Sequence, residues 1–510
     1  MVMDMMDGNT TNHRDATGAG TGRILMICLV LTGSTIEEDL AQFETQKAYV
    51  DLVELRVDLL QESQRLSAVD VPDKVEVPVI LTCRRVSDGG SYNQSERSRF
   101  LLLEQLSKGN FAYVDLEDDI RRLPFEQNLT ERGIKIIRSF HDFNGMPNDI
   151  YHRASRIAER HEIPKLAVTP KTVIDLITLF RIEQELASVE QKIVLGMGLM
   201  GVPTRILYKR MGSMLTYCSD TAIAPGQIDA RTMKMLYRAD SIDERTRIFG
   251  IIGNPVMHTL SPHIHNPGFQ GINFNAVYVP FLVDSVRSFF ILAETLKITG
   301  FSVTVPHKQA VLPYLGKITR EVKQIGSCNT VVRSKNLWSG TNTDYYGFIE
   351  PLLPEIESAR VQTALVIGSG GAARSVVWAL RNHGCKVTIV NRDIEKARKL
   401  AEETMSAFDA LEHASRYEGV DLVVQTTPVG MSPDDDGDPV PEFTFSGKEI
   451  AYELIYKPPY TRFVTRAGAA GCRLLLGMDM LLRQGYLQFE AFTGYHYPKR
   501  VEIYRSNTES

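Results

Sequence analysis

The first half of the chain alternates short apolar runs with amphipathic stretches. Eight apolar runs are typical of strands, namely Ile24–Leu31, Tyr49–Val57, Val77–Cys83, Phe111–Leu116, Ile134–Phe140, Leu166–Val168, Ile193–Gly196 and Tyr217–Ala222. Intervals of about 20 to 35 residues separate them, which is enough for one strand and one helix each time. The pattern therefore predicts eight parallel βα units, and their total length of about 210 residues suits one (β/α)₈ barrel.

The pattern changes after residue 230. The segment Arg231–Arg247 is charged and lacks a sustained apolar period, so we place a linker at residues 240–246. A new strand and turn begin at Ile248, and a further strand at Val361 leads into a glycine-rich turn and a helix. We therefore predict a barrel over 23–239, followed by an α/β region that divides near residue 345.

Composition places the chain among ordinary globular proteins. It has 510 residues, 43% hydrophobic and 23% charged residues and a net charge of −5, which gives no argument for a nucleic acid or membrane partner. No apolar run approaches the roughly 20 residues that span a bilayer. Residues 1–22 are polar and predict a disordered tail. Scattered cysteines without metal-ligand spacing predict a reducing, cytoplasmic location and no metal; they are Cys28, Cys83, Cys218, Cys328, Cys385 and Cys472.

Lys165 lies in the apolar run Ile163-Pro-Lys-Leu-Ala-Val-Thr-Pro170. Burial of an ammonium group is unfavourable, so we expect a lowered pKa and a nucleophilic amine that forms Schiff bases with ketones. A lysine that extends to water from a strand end is the alternative. Other polar residues recur at the ends of apolar runs or in the later loops: Glu54, Arg56, Arg84, Glu117, His141, Arg205 and Gln227.

The carboxyl ends of barrel strands meet at one mouth, so these side chains are expected to form one site. Three arginines suit a carboxylate ligand. His141 is the candidate acid and base, Glu117 is expected to orient it, and Lys165 is the candidate covalent catalyst. Individually, Arg56 could instead pair with Glu54 or Asp58, and His141-Asp142 could be a simple turn.

Four motifs resemble type I 3-dehydroquinate dehydratase: Glu54-Leu-Arg-Val-Asp58, Ser139-Phe-His-Asp-Phe143, Ile163-Pro-Lys-Leu-Ala167 and Ala224-Pro-Gly-Gln227. The resemblance implies a Schiff base between Lys165 and the C3 ketone of 3-dehydroquinate. It further implies that His141 abstracts a C2 proton and helps to expel the C1 hydroxyl as water. Arg205 would pair with the substrate carboxylate, and Glu54, Arg56, Arg84 and Gln227 would hold the ring. Ile223 replaces the family's usual serine, for which Thr221 is a candidate substitute.

A glycine-rich turn, Gly368-Ser-Gly-Gly-Ala372, follows an apolar run and precedes a helix. Small residues at a helix N-terminus let the backbone approach a pyrophosphate, although such a turn can also be a plain connection. Asn391-Arg392 follows the next strand and favours the 2′-phosphate of NADP, whereas the neighbouring Asp393 suits a free ribose hydroxyl. We expect NADP.

A second candidate pair is Lys308, just after a β-branched strand, and Asp344, after another apolar stretch. A lysine with a nearby aspartate can move a proton to or from an alcohol while hydride transfers at the same carbon. A surface ion pair is the alternative.

The second half resembles shikimate dehydrogenase in Ser261-Pro-His-Ile-His-Asn266, Val303-Thr-Val-Pro-His-Lys308, Asn329-Thr330, Asn342-Thr-Asp344, the glycine turn, Asn391-Arg392 and Met480-Leu-Leu-Arg-Gln484. The resemblance implies that Lys308 and Asp344 are catalytic and that a substrate-binding lobe over 247–345, completed by 478–510, packs beside a Rossmann lobe over 346–477. Expected substrate contacts are Thr259, Ser261, Thr304, Asn329, Tyr456 and Gln484. Expected NADP contacts are Gly368, Ser369, Gly370, Gly371, Ala372, Asn391, Arg392, Thr426 and Gly477.

Three positions depart from the usual dehydrogenase pattern: Thr259 for serine, Ser302 for asparagine and Glu453 for aspartate. These departures make quinate an alternative substrate. The whole chain resembles a bifunctional shikimate-pathway enzyme that acts on 3-dehydroquinate, 3-dehydroshikimate and shikimate, and a monomer is consistent with the sequence. Two alternatives are a non-catalytic metabolite sensor, as fungal quinate-pathway repressors are, and an enzyme with one inactive half.

Overall fold

In the computed structural model, which describes residues 26–120, 123–220 and 225–498, eight strands form one parallel sheet in the first half. They are β1 (Met26–Leu31), β2 (Leu52–Arg56), β3 (Val79–Thr82), β4 (Tyr113–Glu117), β5 (Lys135–Asp142), β6 (Ile163–Val168), β7 (Ile193–Gly196) and β8 (Leu215–Cys218). Their order is β7-β6-β5-β4-β3-β2-β1-β8. The N–H of Met214 donates to the carbonyl of Lys192 at 2.8 Å, which joins the start of β8 to β7. The predicted barrel is confirmed. The predicted tail 1–22, Thr221 and Ile223 lie outside the described residues.

Among the described residues of this half, six α-helices surround the sheet: α1 (Ile36–Gln46), α2 (Glu96–Leu106), α3 (Phe125–Glu131), α4 (Ile150–Ala158), α5 (Val173–Glu185) and α6 (Val202–Ile206). Thr35, Ser95 and Thr172 cap three of them by accepting a hydrogen bond from a backbone N–H in the first turn. Because helices cover the outer face and side chains fill the interior, most strand residues are buried on both faces.

The observed start of β6 differs from the predicted one, and this difference affects the site. The sequence predicted a strand from Leu166, but β6 begins at Ile163 and Lys165 is its third residue. Pro164 cannot donate a hydrogen bond and Lys165 is charged, and both features disfavour a strand interior in a local pattern. The strand tolerates Lys165 because carboxylates on other strands, Asp115 on β4 and Glu54 on β2, compensate its charge. Lys165 therefore projects from within the barrel, not from a strand end.

The mixed sheet of the second half contains β9 (Arg247–Gly253), β10 (Ala276–Leu282), β11 (Ile298–Val303), β12 (Lys317–Ile318), β13 (Thr330–Ser334) and β14 (Leu337–Thr341). Its order is β10-β9-β11-β13-β14-β12, with antiparallel pairing of β13 to both β11 and β14. Its helices are α7 (Ser261–Gly271), α8 (Val286–Leu296), α9 (Arg320–Ile325), α10 (Thr343–Ile349) and α11 (Leu353–Glu357).

A third, fully parallel sheet contains β15 (Thr363–Ile367), β16 (Lys386–Asn391), β17 (Ala407–Ala410), β18 (Leu422–Gln425), β19 (Ile450–Glu453) and β20 (Arg473–Leu475). The helices are α12 (Gly371–Asn382), α13 (Ile394–Thr404), α14 (Arg462–Ala469) and α15 (Gly477–Thr493). The order β17-β16-β15-β18-β19-β20 is that of a doubly wound dinucleotide-binding sheet, whose ligand site lies where the order reverses, between β15 and β18.

Helix packing and a hydrogen bond connect these units. Helix α15 packs back against α7 and α10 of the mixed-sheet lobe, and helix α5 of the barrel packs against α8. The N–H of Val173, at the start of α5, also donates to the carboxylate of Asp284 at 3.0 Å. None of the helices in the described part of the chain has both the length and the apolar character needed to cross a bilayer.

Candidate active sites

Lys165 lies inside the barrel between two carboxylates. Its Nζ is 2.8 Å from Oδ2 of Asp115 on β4 and 3.1 Å from Oε1 of Glu54 on β2, and it lies 4.3 Å from the ring centroid of Tyr217 on β8. All four side chains are buried. Alternate residues of a strand point to one face, so the inward positions of separate strands converge here. A positive charge on this nitrogen is therefore compensated in the absence of water.

Asp115 is shared between Lys165 and Arg84. Arg84 Nη2 is 3.0 Å from Asp115 Oδ2, and Ser139 Oγ donates to Asp115 Oδ1 at 2.6 Å. Burial alone would raise the pKa of Asp115, but the charges of Arg84 and Lys165 more than offset it and hold this pKa well below its usual range. Asp115 thus stays negatively charged, which the sequence interpretation had missed.

His141 is held next to Arg84. Nη1 of Arg84 lies 3.3 Å from Nδ1 of His141 and donates to Oγ of Ser139 at 2.9 Å. Burial lowers the pKa of His141 well below 6.5, and the positive charges of Arg84 and Lys165 lower it further, while Asp115 opposes them. The imidazole is therefore neutral at neutral pH, with a nitrogen lone pair that can accept a proton.

Glu117 has different neighbours from those expected. Instead of orienting His141, its Oε2 forms an ion pair with Nη1 of Arg99 at 3.0 Å, and its Oε1 lies 3.8 Å from Nη1 of Arg84. Burial raises the pKa of Glu117, and the charges of Arg84 and Arg99 oppose this effect. Glu117 therefore lies beside Arg84 and Arg99, and Arg84 is the residue that contacts His141.

The remaining predicted barrel residues differ in their contacts: Arg56 has an ion-pair partner, whereas Arg205 donates to a backbone carbonyl. Arg56 forms a bidentate pair with Asp58 at 2.9 and 2.7 Å, so the ion-pair alternative holds for Asp58 but not for Glu54. Arg205 on α6 is buried, donates to the carbonyl of Tyr217 at 3.3 Å, and has no ion-pair carboxylate among the described residues. Burial lowers the pKa of Arg205 to about 10. A buried guanidinium in this setting suits an anionic ligand. Gln227 is half-buried.

The second site centres on Lys308 and Asp344. Nζ of Lys308, beyond the end of β11, lies 2.6 Å from Oδ2 of Asp344 in the first turn of α10. Their side chains are only 15% and 12% exposed, which distinguishes the pair from a surface ion pair. Asn342 caps α10 by accepting from the N–H of Tyr345 and so fixes the turn that carries Asp344.

Of the polar groups expected to bind the substrate, Asn329 and Gln484 contact helix α10, which carries Asp344. Thr259 Oγ1 donates to Ser261 Oγ at 3.1 Å, and Asn329 Oδ1 accepts from the N–H of Thr343 at 2.8 Å, next to Asp344. Gln484 of α15 is buried against Gly347 of α10. Thr304 and Tyr456 are half-buried, and burial raises the pKa of Tyr456.

Two of the departures are buried and hydrogen-bonded within the protein. Ser302 accepts from the hydroxyl of Tyr278 at 2.7 Å and donates to Oε1 of Gln488 at 2.8 Å. Glu453 accepts from the N–H of Ile455 and the hydroxyl of Thr461, which stabilises the segment that carries Tyr456. Both positions therefore act as supports for the neighbouring segments.

A cavity of about 400 Å³ lies between Lys308 and the glycine turn, where a dinucleotide is expected. It is lined by Val305, Pro306, Lys308, Gln309, Ser369, Gly370, Gly371, Arg374, Lys396, Lys399 and Leu400. Gly370 precedes the N-terminus of α12, and a Cβ there would meet no protein atom within 4 Å, so the backbone is open to a ligand. The four basic side chains match the charge of a pyrophosphate. The residues present fit the cofactor.

The other expected cofactor residues are absent from the lining of this cavity. Gly368 has a φ of +110°, and a Cβ there would lie 2.5 Å from Oγ1 of Thr426, so glycine is required. A Cβ at Gly477 would lie 2.3 Å from the carbonyl of Ile455. Asn391 is half-buried and Arg392 exposed at the end of β16, and neither lines the cavity. The carboxylate of Asp393 accepts a hydrogen bond from the backbone N–H of Lys396 in the first turn of α13. This carboxylate, which could otherwise bind a ribose hydroxyl, is therefore already engaged.

Comparison with known proteins covers both halves. Residues 27–244 match the family model of type I 3-dehydroquinase, residues 251–331 that of the shikimate dehydrogenase substrate binding domain, and residues 353–429 that of shikimate/quinate 5-dehydrogenase. The chloroplastic bifunctional 3-dehydroquinate dehydratase/shikimate dehydrogenase of Arabidopsis thaliana is 31% identical over 506 residues, which cover 93% of this chain and 83% of that protein. This chain belongs to that bifunctional family.

Other relatives match the second half. The shikimate dehydrogenase (NADP(+)) of Caldanaerobacter subterraneus is 38% identical over 271 residues, covering 51% of this chain and 95% of that protein. The structure of shikimate 5-dehydrogenase from Thermus thermophilus in complex with NADP(H) and shikimate is 32% identical, with a TM-score of 0.45; the match covers 50% of this chain and 95% of that one.

Sequence interpretation missed the residues that hold the dehydratase groups in place. Asp115 and Ser139 each lie two positions before a predicted residue, Glu117 and His141, so the period-2 rule for strands could have placed them on the same inward face. Arg99 lies on a helix, and no pattern in the sequence connects it to Glu117.

Two lysines that line the dinucleotide cavity were also missed. Lys396 and Lys399 lie one turn apart on α13, and helical spacing could have placed them on one face.

Proposed function

We propose that the barrel dehydrates 3-dehydroquinate through a covalent iminium on Lys165, and that Lys308 with Asp344 transfers the proton in the reduction of 3-dehydroshikimate. The observation that carries the first part is the position of the Lys165 Nζ between Asp115 and Glu54. The family is bifunctional, so the product of the first half is the substrate of the second.

The iminium step follows from the charges around Lys165. The ammonium of Lys165 gives up a proton and the resulting amine adds to the C3 carbonyl of the substrate. The proton is returned to the oxygen of this adduct, which leaves as water, and the C=N bond forms with a positive charge on nitrogen. Asp115 and Glu54 stabilise this charge as they stabilise the ammonium. The iminium makes the C2 proton acidic, because the electron pair left by the proton can move into the C=N bond.

His141 is the group that takes this proton. Its neutral ring accepts the C2 proton, and the resulting enamine expels the C1 hydroxyl, which receives a proton from His141 and leaves as water. Hydrolysis of the C=N bond then releases 3-dehydroshikimate and restores Lys165. Arg84 positions His141, and the buried Arg205 binds the substrate carboxylate.

In the second half, Thr259, Ser261, Thr304, Asn329, Tyr456 and Gln484 surround the substrate. Bound NADPH would supply the hydride to the ketone carbon. Lys308 Nζ donates a proton to the ketone oxygen, and Asp344 orients Lys308 through the 2.6 Å contact. Gly368, Ser369, Gly370, Gly371 and Ala372 would hold the pyrophosphate, with Thr426 and Gly477 at the edges. Asn391 and Arg392 would receive the 2′-phosphate, because Asp393 is engaged in capping α13.

The organisation of the protein completes the proposal. We assign residues 23–239 to the dehydratase, 240–246 to the linker, 247–345 with the last helix to the substrate lobe and 346–477 to the Rossmann lobe. The six cysteines are free, which supports a reducing location such as the cytoplasm; cell fractionation tests it. Packing of α5 against α8 covers one barrel helix and supports a monomer, which light scattering measures.

A coupled assay tests the proposed function. The purified chain is mixed with 3-dehydroquinate and NADPH, without any other enzyme, and NADPH absorbance is followed. Steady loss of absorbance with formation of shikimate is expected. Failure of wild-type protein to oxidise NADPH with either 3-dehydroquinate or 3-dehydroshikimate would refute the assignment of the second half. Oxidation with 3-dehydroshikimate alone would refute that of the first.

A further inference from the structure

Arg99 lies on helix α2, outside the barrel sheet, yet its side chain is 0% exposed. Its neighbours on the buried face of α2 are Leu103 and Leu106, at the helical spacing that points inward. An arginine at a core position is unfavourable unless its charge is compensated. Two carboxylates and one carbonyl provide this compensation.

The contacts of Arg99 fall into two groups. On the solvent side, Nε and Nη2 bind the carboxylate of Glu96 at 2.9 and 2.7 Å. On the barrel side, Nη1 donates to the carbonyl of Cys83 at 2.7 Å and lies 3.0 Å from Oε2 of Glu117. The barrel-side contacts reach two strand ends at once, since Cys83 follows β3 and Glu117 ends β4.

Both barrel-side contacts lead to Arg84. Cys83 is the residue directly before Arg84, so Arg99 fixes the main chain from which the Arg84 side chain projects. The second oxygen of Glu117 lies 3.8 Å from Nη1 of Arg84, behind its guanidinium. Arg84 in turn contacts Ser139, His141 and Asp115 in the dehydratase site.

Loss of Arg99 would change the balance of charge around Arg84. Glu117 is buried, and Arg99 is its nearest cation among the described residues. Without Arg99, this carboxylate would attract the Arg84 guanidinium more strongly. Movement of Arg84 towards Glu117 would lengthen its contacts with Asp115 and His141.

We propose that Arg99 is a positioning residue of the dehydratase reaction: it neutralises Glu117 and fixes the Cys83 carbonyl, so that the Arg84 guanidinium stays on Asp115 and His141. This inference rests on the proposed function of the barrel. It assigns to a residue on an outer helix an effect on the dehydratase alone, since the Lys308–Asp344 site is in the other half of the chain.

The test uses the full-length protein with Arg99→Met, Arg99→Lys, Glu117→Gln and the double variant Arg99→Met/Glu117→Gln. Arg99→Met is expected to lower dehydratase kcat/KM by about tenfold, below the ~100-fold that a misplacement of about 1 Å can cause. Dehydrogenase activity with 3-dehydroshikimate should remain at the wild-type level. Arg99→Lys should recover part of the loss. The double variant should be more active than Arg99→Met, because the neutral amide no longer attracts Arg84.

Glu96→Gln is the matched control, since it removes the solvent-side partner of Arg99 and leaves both barrel-side contacts; it should behave as wild type. Equal loss of both activities in Arg99→Met and no recovery in the double variant would overturn the proposal, because a purely structural role predicts that result. Wild-type dehydratase kcat/KM in Arg99→Met would also overturn it, and Arg99→Gln provides the same test if Arg99→Met does not fold. Absence of dehydratase activity in the wild-type protein would contradict the proposed function, independently of these variants.

Discussion

The Nζ of Lys165 lies 2.8 Å from Oδ2 of Asp115 inside the barrel. Lys165 is on β6 and Asp115 on β4, and β5 lies between these two strands. The same oxygen of Asp115 is 3.0 Å from Arg84. One buried carboxylate therefore balances the charges of both Lys165 and Arg84. A buried charge that loses its partner is strongly unfavourable, so this residue serves both stability and chemistry.

Asp115→Asn is expected to lower the free energy of unfolding by about 3 kcal/mol, the lower part of the range for a broken buried pair. It should also lower dehydratase kcat, because the iminium loses a stabilising charge. Chemical denaturation and steady-state kinetics measure the two effects. Asp119→Asn is the control, since Asp119 pairs with Arg85 on the surface. Equal behaviour of the two variants would contradict the role of Asp115.

Arg205→Met should separate stability from function. Arg205 is buried without an ion-pair carboxylate among the described residues, so its replacement removes an uncompensated charge and is expected to keep or raise the melting temperature. The KM for 3-dehydroquinate should rise about tenfold or more, because hydrogen bonds between charged groups contribute about 1.5–3 kcal/mol. Calorimetry and kinetics on the same sample test both. A variant with unchanged KM would exclude Arg205 from carboxylate binding.

Much of the fold follows from the sequence because apolar periodicity reflects burial. β7 was predicted residue for residue at Ile193–Gly196, since all four residues are apolar or glycine and buried. β6 was predicted too short, because Lys165 and Pro164 interrupt its pattern. What permits Lys165 there is compensation by Asp115 and Glu54, which lie 50 and 111 residues away in sequence.

The sequence motifs predicted the residues with a direct chemical role, but not the residues that hold them in place. Lys165, His141 and Arg84 do lie in one site, as expected, although Lys165 lies inside β6 and not at its end. The partners that fix them were less accessible. Glu117 was expected to orient His141, but it pairs with Arg99, which reaches it from a separate helix, α2. Side-chain pairing between separate elements depends on packing and not on local spacing.

The pH profile of the dehydratase should reflect the environment of His141. Burial and the charges of Arg84 and Lys165 lower its pKa well below 6.5, so the neutral, basic form persists as the pH falls from neutral through 6.5. We expect kcat/KM to stay level over that range and to fall only at lower pH. Arg84→Gln should move this acid limb to higher pH. An acid limb centred at 6.5 in the wild-type enzyme would contradict this environment.

The lowered pKa of His141 also makes the folded state less stable as the pH falls. In the unfolded chain a histidine takes up a proton near 6.5, whereas folded His141 does not until a lower pH. The unfolded state therefore binds more protons, and the contribution of His141 to the free energy of unfolding decreases as the pH falls below 6.5. His141→Gln should reduce this slope in denaturation experiments between pH 6.5 and the folded pKa. An unchanged slope would mean that other groups cause it.

Lys308→Met should inactivate one half only. Loss of the proton donor is expected to lower NADPH oxidation by about 10²–10⁴-fold, the usual contribution of general acid catalysis. Dehydratase activity should be unchanged. The variant should therefore convert 3-dehydroquinate to 3-dehydroshikimate, and this product should accumulate and be detected by chromatography. Lys323→Met, on the surface helix α9, is the control. Wild-type NADPH oxidation in Lys308→Met would remove Lys308 from the mechanism.

The central claim is that Lys165 bonds covalently to the substrate inside the barrel. Borohydride reduces an iminium to a stable secondary amine, so wild-type protein treated with 3-dehydroquinate and borohydride should gain the mass of a reduced adduct. Peptide mapping should place this adduct on Lys165, and Lys165→Ala protein should gain none. An adduct on another lysine, or full dehydratase turnover by Lys165→Ala, would contradict the account.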